Sequence, residues 1–247
     1  MWALDPDGWS EYRGLSAGVE HVSEALELFG SYTWSETTDN WVGAAFGLPD
    51  AELRPGLATG DEWSEGTSDY DVPHRLVAGV AIRAGPATVA GTYTFRSGYP
   101  FTPRYRPGVD ANGDGSGRND VAFVPGDARL TTVLEEWPCL ESQANRFAIR
   151  NSCRSADRHG VAARLTVRLA ALRGMDATIV IDALDLVEDS GGFLDEALLL
   201  VDPSGSIVTS TDDSTVTLPL TVNPDFGDVL LSGSRGRMLR LGIRIGG

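Results

Sequence analysis

A polarity alternation with a period of two residues, carried in seven separate segments, constrains this chain more than any other feature. Successive side chains of an extended strand point to opposite faces, so each such segment reads as a strand with one apolar and one polar face. The clearest places Ala163, Leu165, Val167, Leu169 and Ala171 on one side and Arg164, Thr166 and Arg168 on the other. In the next, Met175, Ala177, Ile179, Ile181 and Ala183 oppose Asp176, Thr178 and Asp182. Ala87, Val89, Tyr93 and Phe95 oppose Thr88, Thr92, Thr94 and Arg96, and Leu76, Ala78, Val80 and Ile82 oppose Arg75 and Arg83. Leu239, Leu241, Ile243 and Ile245 oppose Arg240 and Arg244. Near the start, Leu15, Ala17 and Val19 oppose Ser16 and Glu20, and Leu26, Leu28, Tyr32 and Trp34 oppose Glu27, Ser31 and Thr33. The stretch 19–29 also suits a helix by propensity, but Gly30, Tyr32 and Trp34 continue the alternation, which favours strands.

The expected strands are 12–22, 25–36, 74–84, 87–97, 162–172, 175–187 and 236–246. They are long for a soluble protein, where about 5 or 6 residues is usual, and match the roughly 9 to 11 that cross a bilayer at a tilt. Tight turns are expected near Ser23–Glu24, Gly85–Pro86 and Arg173–Gly174, and long loops near 37–73, 98–161 and 188–234. Short and long connections thus alternate, as they do in membrane barrels with short turns on one side and long outer loops on the other. The expected fold class is all-β: an antiparallel up-and-down meander of about seven long strands, forming part of a transmembrane β-barrel. A secreted β-sandwich is the alternative that the same pattern allows.

Composition narrows the function. Twenty basic residues against 35 acidic ones give a net charge of −15, which excludes the basic face that nucleic-acid binding needs. Every basic residue is arginine, and no stretch is apolar enough for a membrane helix.

Several motifs, in order, resemble the C-terminal barrel of TonB-dependent outer-membrane receptors of the kind bearing a carboxypeptidase-regulatory-like domain. The similarity runs over nearly the whole chain. Gly14 to Asn40, with the stretch LFGSYTWSETTDN, resembles a strand pair of that barrel leading into an outer loop. Asp71-Val72-Pro73-His74-Arg75 resembles the start of a descending strand, and Arg96-Ser97-Gly98-Tyr99-Pro100-Phe101-Thr102 the step after an ascending one. Asp110 to Asp120 resembles the family's Asp/Asn/Gly segment, and Asn223-Pro224-Asp225-Phe226-Gly227 the stretch before the last strand. The chain departs from the family in carrying Asp182-Ala183-Leu184-Asp185 at an Asn-rich position and in ending Ile245-Gly246-Gly247 rather than on an aromatic residue.

The resemblance implies residence in the bacterial outer membrane as part of a longer exported protein, residues 1–247 being a C-terminal barrel segment without its plug domain. It implies uptake of a scarce solute, with outer-membrane lipid, the rest of the barrel and plug, and the inner-membrane energy-coupling complex as partners. Such a wall is not expected to transport alone. The competing function is a secreted, calcium-stabilised β-sandwich used in adhesion or binding.

Two local sites stand out. Asp110, Asn112, Asp114, Ser116 and Asp120 offer oxygen ligands at short intervals around Gly115, a pattern suited to calcium, although the same residues also form ordinary turns. Cys139 and Cys153 lie in one long loop and are expected to form a disulfide in an oxidising compartment. His21, His74 and His159 are scattered, and no H-E-x-x-H motif appears, so no enzymatic activity is expected. Arg83, Arg96, Arg164, Arg168, Arg240 and Arg244 fall on the polar face with Glu27, Asp176 and Asp182, the face that would line a barrel lumen.

Overall fold

The computed structural model describes residues 8–40, 65–111, 120–127, 130–172, 175–187, 192–206, 208–210, 215–232 and 236–246. Its main body is one antiparallel meander of long strands: β1 (Ser10–Val22), β2 (Leu26–Asp39), β3 (His74–Ala84), β4 (Ala87–Arg96), β5 (Arg158–Leu172), β6 (Met175–Leu184) and β7 (Met238–Gly246). Each pairs with its sequence neighbours, and Gly66–Thr67 adds a short rung to the end of β2. The seven expected strands are all present. β1, β2 and β5 extend further toward the long loops than the alternation alone indicated, and β6 and β7 are shorter.

Register turns seven amphipathic strands into one two-faced sheet, because residues paired across an antiparallel ladder share a face. Leu26, Ile82, Val89, Leu165, Ile181 and Leu241 lie in one cross-strand row through six strands. The adjacent row, Glu27, Ala81, Ala90, Arg164, Asp182 and Arg240, lies on the opposite face. Phe29 breaks the alternation by pointing to the polar face. Its ring covers the bare backbone of Gly79 across the ladder, where a Cβ would meet the ring at 2.2 Å.

The tight turns follow the expected chemistry. Ser23 closes one with its backbone N–H donating to the Leu26 carbonyl at 2.8 Å, and Gly85 sits at φ 58° in another, a left-handed conformation that favours glycine. Arg173–Gly174 lies outside the described residues.

No second sheet covers the apolar face among the described residues, which is the packing a sandwich requires. That face is left bare: Leu15 is 71% exposed and Leu241 70%. The sheet does not close on itself, since β1 pairs only with β2 and β7 only with β6 among the described strands. No described helix is long and apolar enough to cross a membrane.

The buried core lies elsewhere, in the long connections. Phe101, Tyr105, Val124, Leu130, Leu140, Leu198 and Phe226 belong to one apolar cluster built from the segments after β4 and after β6. The sequence reading treated these segments as loops. They instead fold into a cap of short strands, a helix (Thr131–Glu136) and a 3-10 turn (Pro138–Gln143). In the cap, Ala197–Val201 pairs antiparallel with Leu220–Val222 and parallel with Arg104–Tyr105.

Candidate functional site

The cap is fastened to the ends of the wall strands by buried charge. Arg150 Nη2 lies 2.7 Å from Asp39 Oδ1 at the end of β2 and 3.5 Å from Asp69. Asn151 donates to the Thr67 carbonyl at 2.7 Å and to Asp69 Oδ1 at 2.6 Å. Arg154 pairs with the buried carboxylate of Asp71, which accepts the Thr37 backbone N–H at 2.7 Å. Buried ionic groups are tolerable only when paired and hydrogen-bonded like this. None of Arg150, Asn151 and Arg154 stood out in the sequence, because no local pattern marks a long-range ion pair.

The segments that stand out as motifs pack within the cap and where it leaves the wall. Gly98 is packed so closely that a Cβ would lie 1.8 Å from the Ser155 carbonyl oxygen, and its N–H donates to Asp157 Oδ1 at 3.1 Å. Phe101 stacks edge-on to Trp137 and tilts against Phe226, with ring centroids 5.3 and 5.8 Å away. Asn223 is fully buried and donates to Asp195 Oδ2 and the Ala197 carbonyl at 3.1 and 2.7 Å.

Cys139 and Cys153 form the expected disulfide, with an S–S distance of 2.00 Å. Of the calcium candidates, Asn112, Asp114 and Ser116 lie outside the described residues. Asp110, exposed, and Asp120, buried, stand on either side of them. Among the described residues no three His, Cys, Asp or Glu side chains converge as metal ligands.

Within the cap, burial pushes the Glu196 carboxyl up from its ordinary range, against the opposing pull of Arg104 3.4 Å away. Asp202 is held below its ordinary range by the hydroxyl and backbone N–H of Ser204, which donate to Oδ1 at 2.6 and 2.8 Å.

On the polar face the predicted charges fall into two groups. Toward the tight turns, Arg83 pairs with Glu27, and Arg164 grips Asp182 with both ends of its fork, Nε to Oδ1 at 2.5 Å and Nη2 to Oδ2 at 3.2 Å. Arg240 stands directly across from Asp182, Arg168 and Arg244 flank Thr178, and Asp176 lies opposite Gly246. Toward the cap, Arg96 stands across from Arg75 and Arg158, its guanidinium 4.4 Å from the Tyr99 ring centre.

On the apolar face, the end nearest the cap is aromatic. Tyr32, Trp34, Tyr93 and Phe95 gather there with two histidines, Tyr32 Oη lying 2.8 Å from His74 Nδ1 and Tyr93 Oη 2.8 Å from His159 Nδ1.

A bare apolar band ending in an aromatic belt, backed by a polar face and topped by long connections on one side only, is the anatomy of a strand wall that lipid covers. Residues 1–182 match the family model of an outer membrane beta barrel domain. The chain belongs to this family. It matches no curated protein and no solved structure.

As an outer membrane beta barrel domain the protein resides in the bacterial outer membrane. Tyr and Trp rings suit the water–lipid boundary because an apolar body ends in a polar tip, and here the histidines receive the tips. The family match ends at Asp182, within β6, so it covers the first five wall strands, the whole cap segment before β5 and most of β6.

Proposed function

We propose that the chain is the wall and outer cap of a TonB-dependent receptor that takes up a scarce solute, with no catalysis of its own. The observation that carries this reading is the placement of the motifs. Asp71 helps fasten the cap, and Gly98, Phe101 and Asn223 pack within it. Their order along the chain resembles that of the receptors. In this reading the polar face lines the lumen, with Arg83, Arg96, Arg164, Arg168, Asp176, Asp182, Arg240 and Arg244 facing the plug and the passing solute.

The open edges of β1 and β7 are then closed by further strands of the same barrel, because an unpaired strand edge cannot lie in hydrocarbon. The wall works with a plug and with the inner-membrane energy-coupling complex. Calcium belongs to the proposal as a stiffener of the Asp110–Asp120 loop, supported by oxygen ligands at short intervals in the sequence. A calcium titration that leaves cap stability unmoved removes calcium from the reading.

Comparison of two disrupted strains tests the uptake role, one broken within this coding sequence and one in the energy-coupling complex. Growth on a panel of limiting nutrients should show at least one solute whose uptake both disruptions abolish. If every energy-coupled uptake survives loss of this chain, the receptor reading fails, while the outer-membrane assignment stands.

A further inference from the structure

A row of three arginines crosses the polar face directly beneath the cap. Arg75 of β3 is the cross-strand partner of Arg96 of β4, and Arg96 is in turn the partner of Arg158 of β5. The same row continues through Thr33 to Ser16, whose hydroxyls meet at 2.9 Å. Adjacent strands lie about 4.8 Å apart, so the three guanidinium stems start within roughly 10 Å of one another. Like charges directly opposite in a ladder destabilise a sheet. Elsewhere on this face Arg164 is set against Asp182 and Arg83 against Glu27.

The nearby acids do not pair with Arg75 or Arg96. Asp71 is engaged by Arg154, and Asp39 by Arg150. Among the described residues no carboxylate forms an ion pair with Arg75 or Arg96; Arg96 rests on the Tyr99 ring, which orients it without neutralising it. The row borders an open groove of about 510 Å³, lined also by Thr94 and Tyr99. A planar guanidinium presents paired N–H donors that fit the oxygens of phosphate or carboxylate, and two side by side, Arg75 and Arg96, suit a multiply charged oxyanion.

We propose that this groove binds an oxyanion group, phosphate or a clustered carboxylate, of a solute passing beneath the cap. The proposal deepens the receptor reading by naming a solute class, and it rests on that reading for placing the groove on the solute's path.

Titration calorimetry of the full chain in detergent micelles at low salt, with inorganic phosphate as the probe, tests it. Saturable binding is expected, weakened about tenfold or more by Arg75→Gln or Arg96→Gln and unchanged by Arg146→Gln, an exposed arginine of the cap whose guanidinium donates to the Ser142 carbonyl. Because the substitutions relieve repulsion, the phosphate-free variants should melt no lower than the parent chain. Absence of saturable binding overturns the proposal, as does binding that Arg75→Gln and Arg96→Gln leave intact. Variants that melt lower without phosphate also overturn it, since the row would then be satisfied by groups of the chain itself. Partition of the same preparation into lipid vesicles is scored separately: failure there sinks the lumen reading, whatever phosphate does.

Discussion

Arg150 and Asp39 are 111 positions apart in sequence, yet the guanidinium donates to the Asp39 carboxylate at 2.7 Å and to its backbone carbonyl at 3.0 Å. Only 3% of the Arg150 side chain and 10% of the Asp39 side chain reach solvent. The pair therefore joins the cap to the end of a wall strand where water screens it little. Replacing Arg150 with Ala leaves the Asp39 carboxylate buried without this partner, at a cost of about 3–5 kcal/mol to the docked cap. Hydrogen exchange should show the amides of Ser68 and Asn151 losing protection while the middles of β3 and β4 keep theirs. Equal loss throughout the wall would mean that cap and wall unfold as one unit.

The disulfide makes a prediction confined to the cap. It closes a separation of 14 residues and ties the 3-10 turn to the strand that pairs with Phe101. In the chain-entropy picture its loss costs roughly 3 kcal/mol. Replacement of both Cys139 and Cys153 by Ser should lower the cap's unfolding midpoint and speed proteolysis between residues 130 and 157. The wall's β-sheet signal should be unchanged, and a parallel loss of that signal would contradict the separation of the two bodies.

The wall was legible in the sequence because lipid on one face and polar surroundings on the other impose a period of two. All seven strands could be placed from Leu165, Ile181 and their alternating neighbours. The cap was not legible for a matching physical reason. Its strands are two to five residues long, as in Phe123–Val124 and Ala197–Val201, too short to display any period. Its core joins Phe101 to Phe226 across more than a hundred positions. Its fastening depends on Arg150 and Arg154, which look like surface arginines until their partners are known. Gly98 and Asn223 did stand out as motif residues, but only the packing against Ser155 and Asp195 shows what they do. The arginine row was partly visible: Arg75 and Arg96 were expected on the polar face, but the register that sets them side by side with Arg158 was not.

Leu198 tests whether the cap has a true core. It is fully buried on the Ala197–Val201 strand, among Phe101, Tyr105 and Phe226 in one apolar cluster. Leu198→Ala removes buried methyl groups and leaves a cavity, which costs about 2–5 kcal/mol where the surroundings cannot collapse. Thermal unfolding of the cap should move down accordingly. A change below about 1 kcal/mol would show a loosely packed cap.

Two acids give the cap opposite responses to pH. Burial raises the Glu196 carboxyl, so the folded cap holds that proton more tightly than the unfolded chain does. Its contribution is fully present below the ordinary carboxylate range and is lost as pH rises through the raised folded value. Asp202, lowered by Ser204, contributes above its unfolded value and loses that contribution as pH falls through the lowered one. Cap melting measured against pH should therefore flatten on the rising side in Glu196→Gln and on the acid side in Asp202→Asn. If Glu196→Gln instead steepens the fall with rising pH, the Arg104 contact outweighs the burial.

The two faces of the wall give the most direct test of how it sits in the membrane. Leu165 is near the middle of the 15-residue strand, in the apolar row between Val89 and Ile181. Thr92 of β4 lies on the opposite face, across from Gly79 and Ala162. An arginine at the lipid-facing midplane of a barrel costs about 2–4 kcal/mol, because hydrocarbon gives its charge no partner. On the polar face the same side chain stays in a hydrated setting and costs little. Leu165→Arg should therefore reduce the fraction of chain that partitions into lipid vesicles by at least tenfold, while Thr92→Arg should leave it close to the parent value. Equal effects at both positions would mean that the apolar face is covered by protein rather than lipid, and a large effect at Thr92 alone would reverse the assignment of the faces.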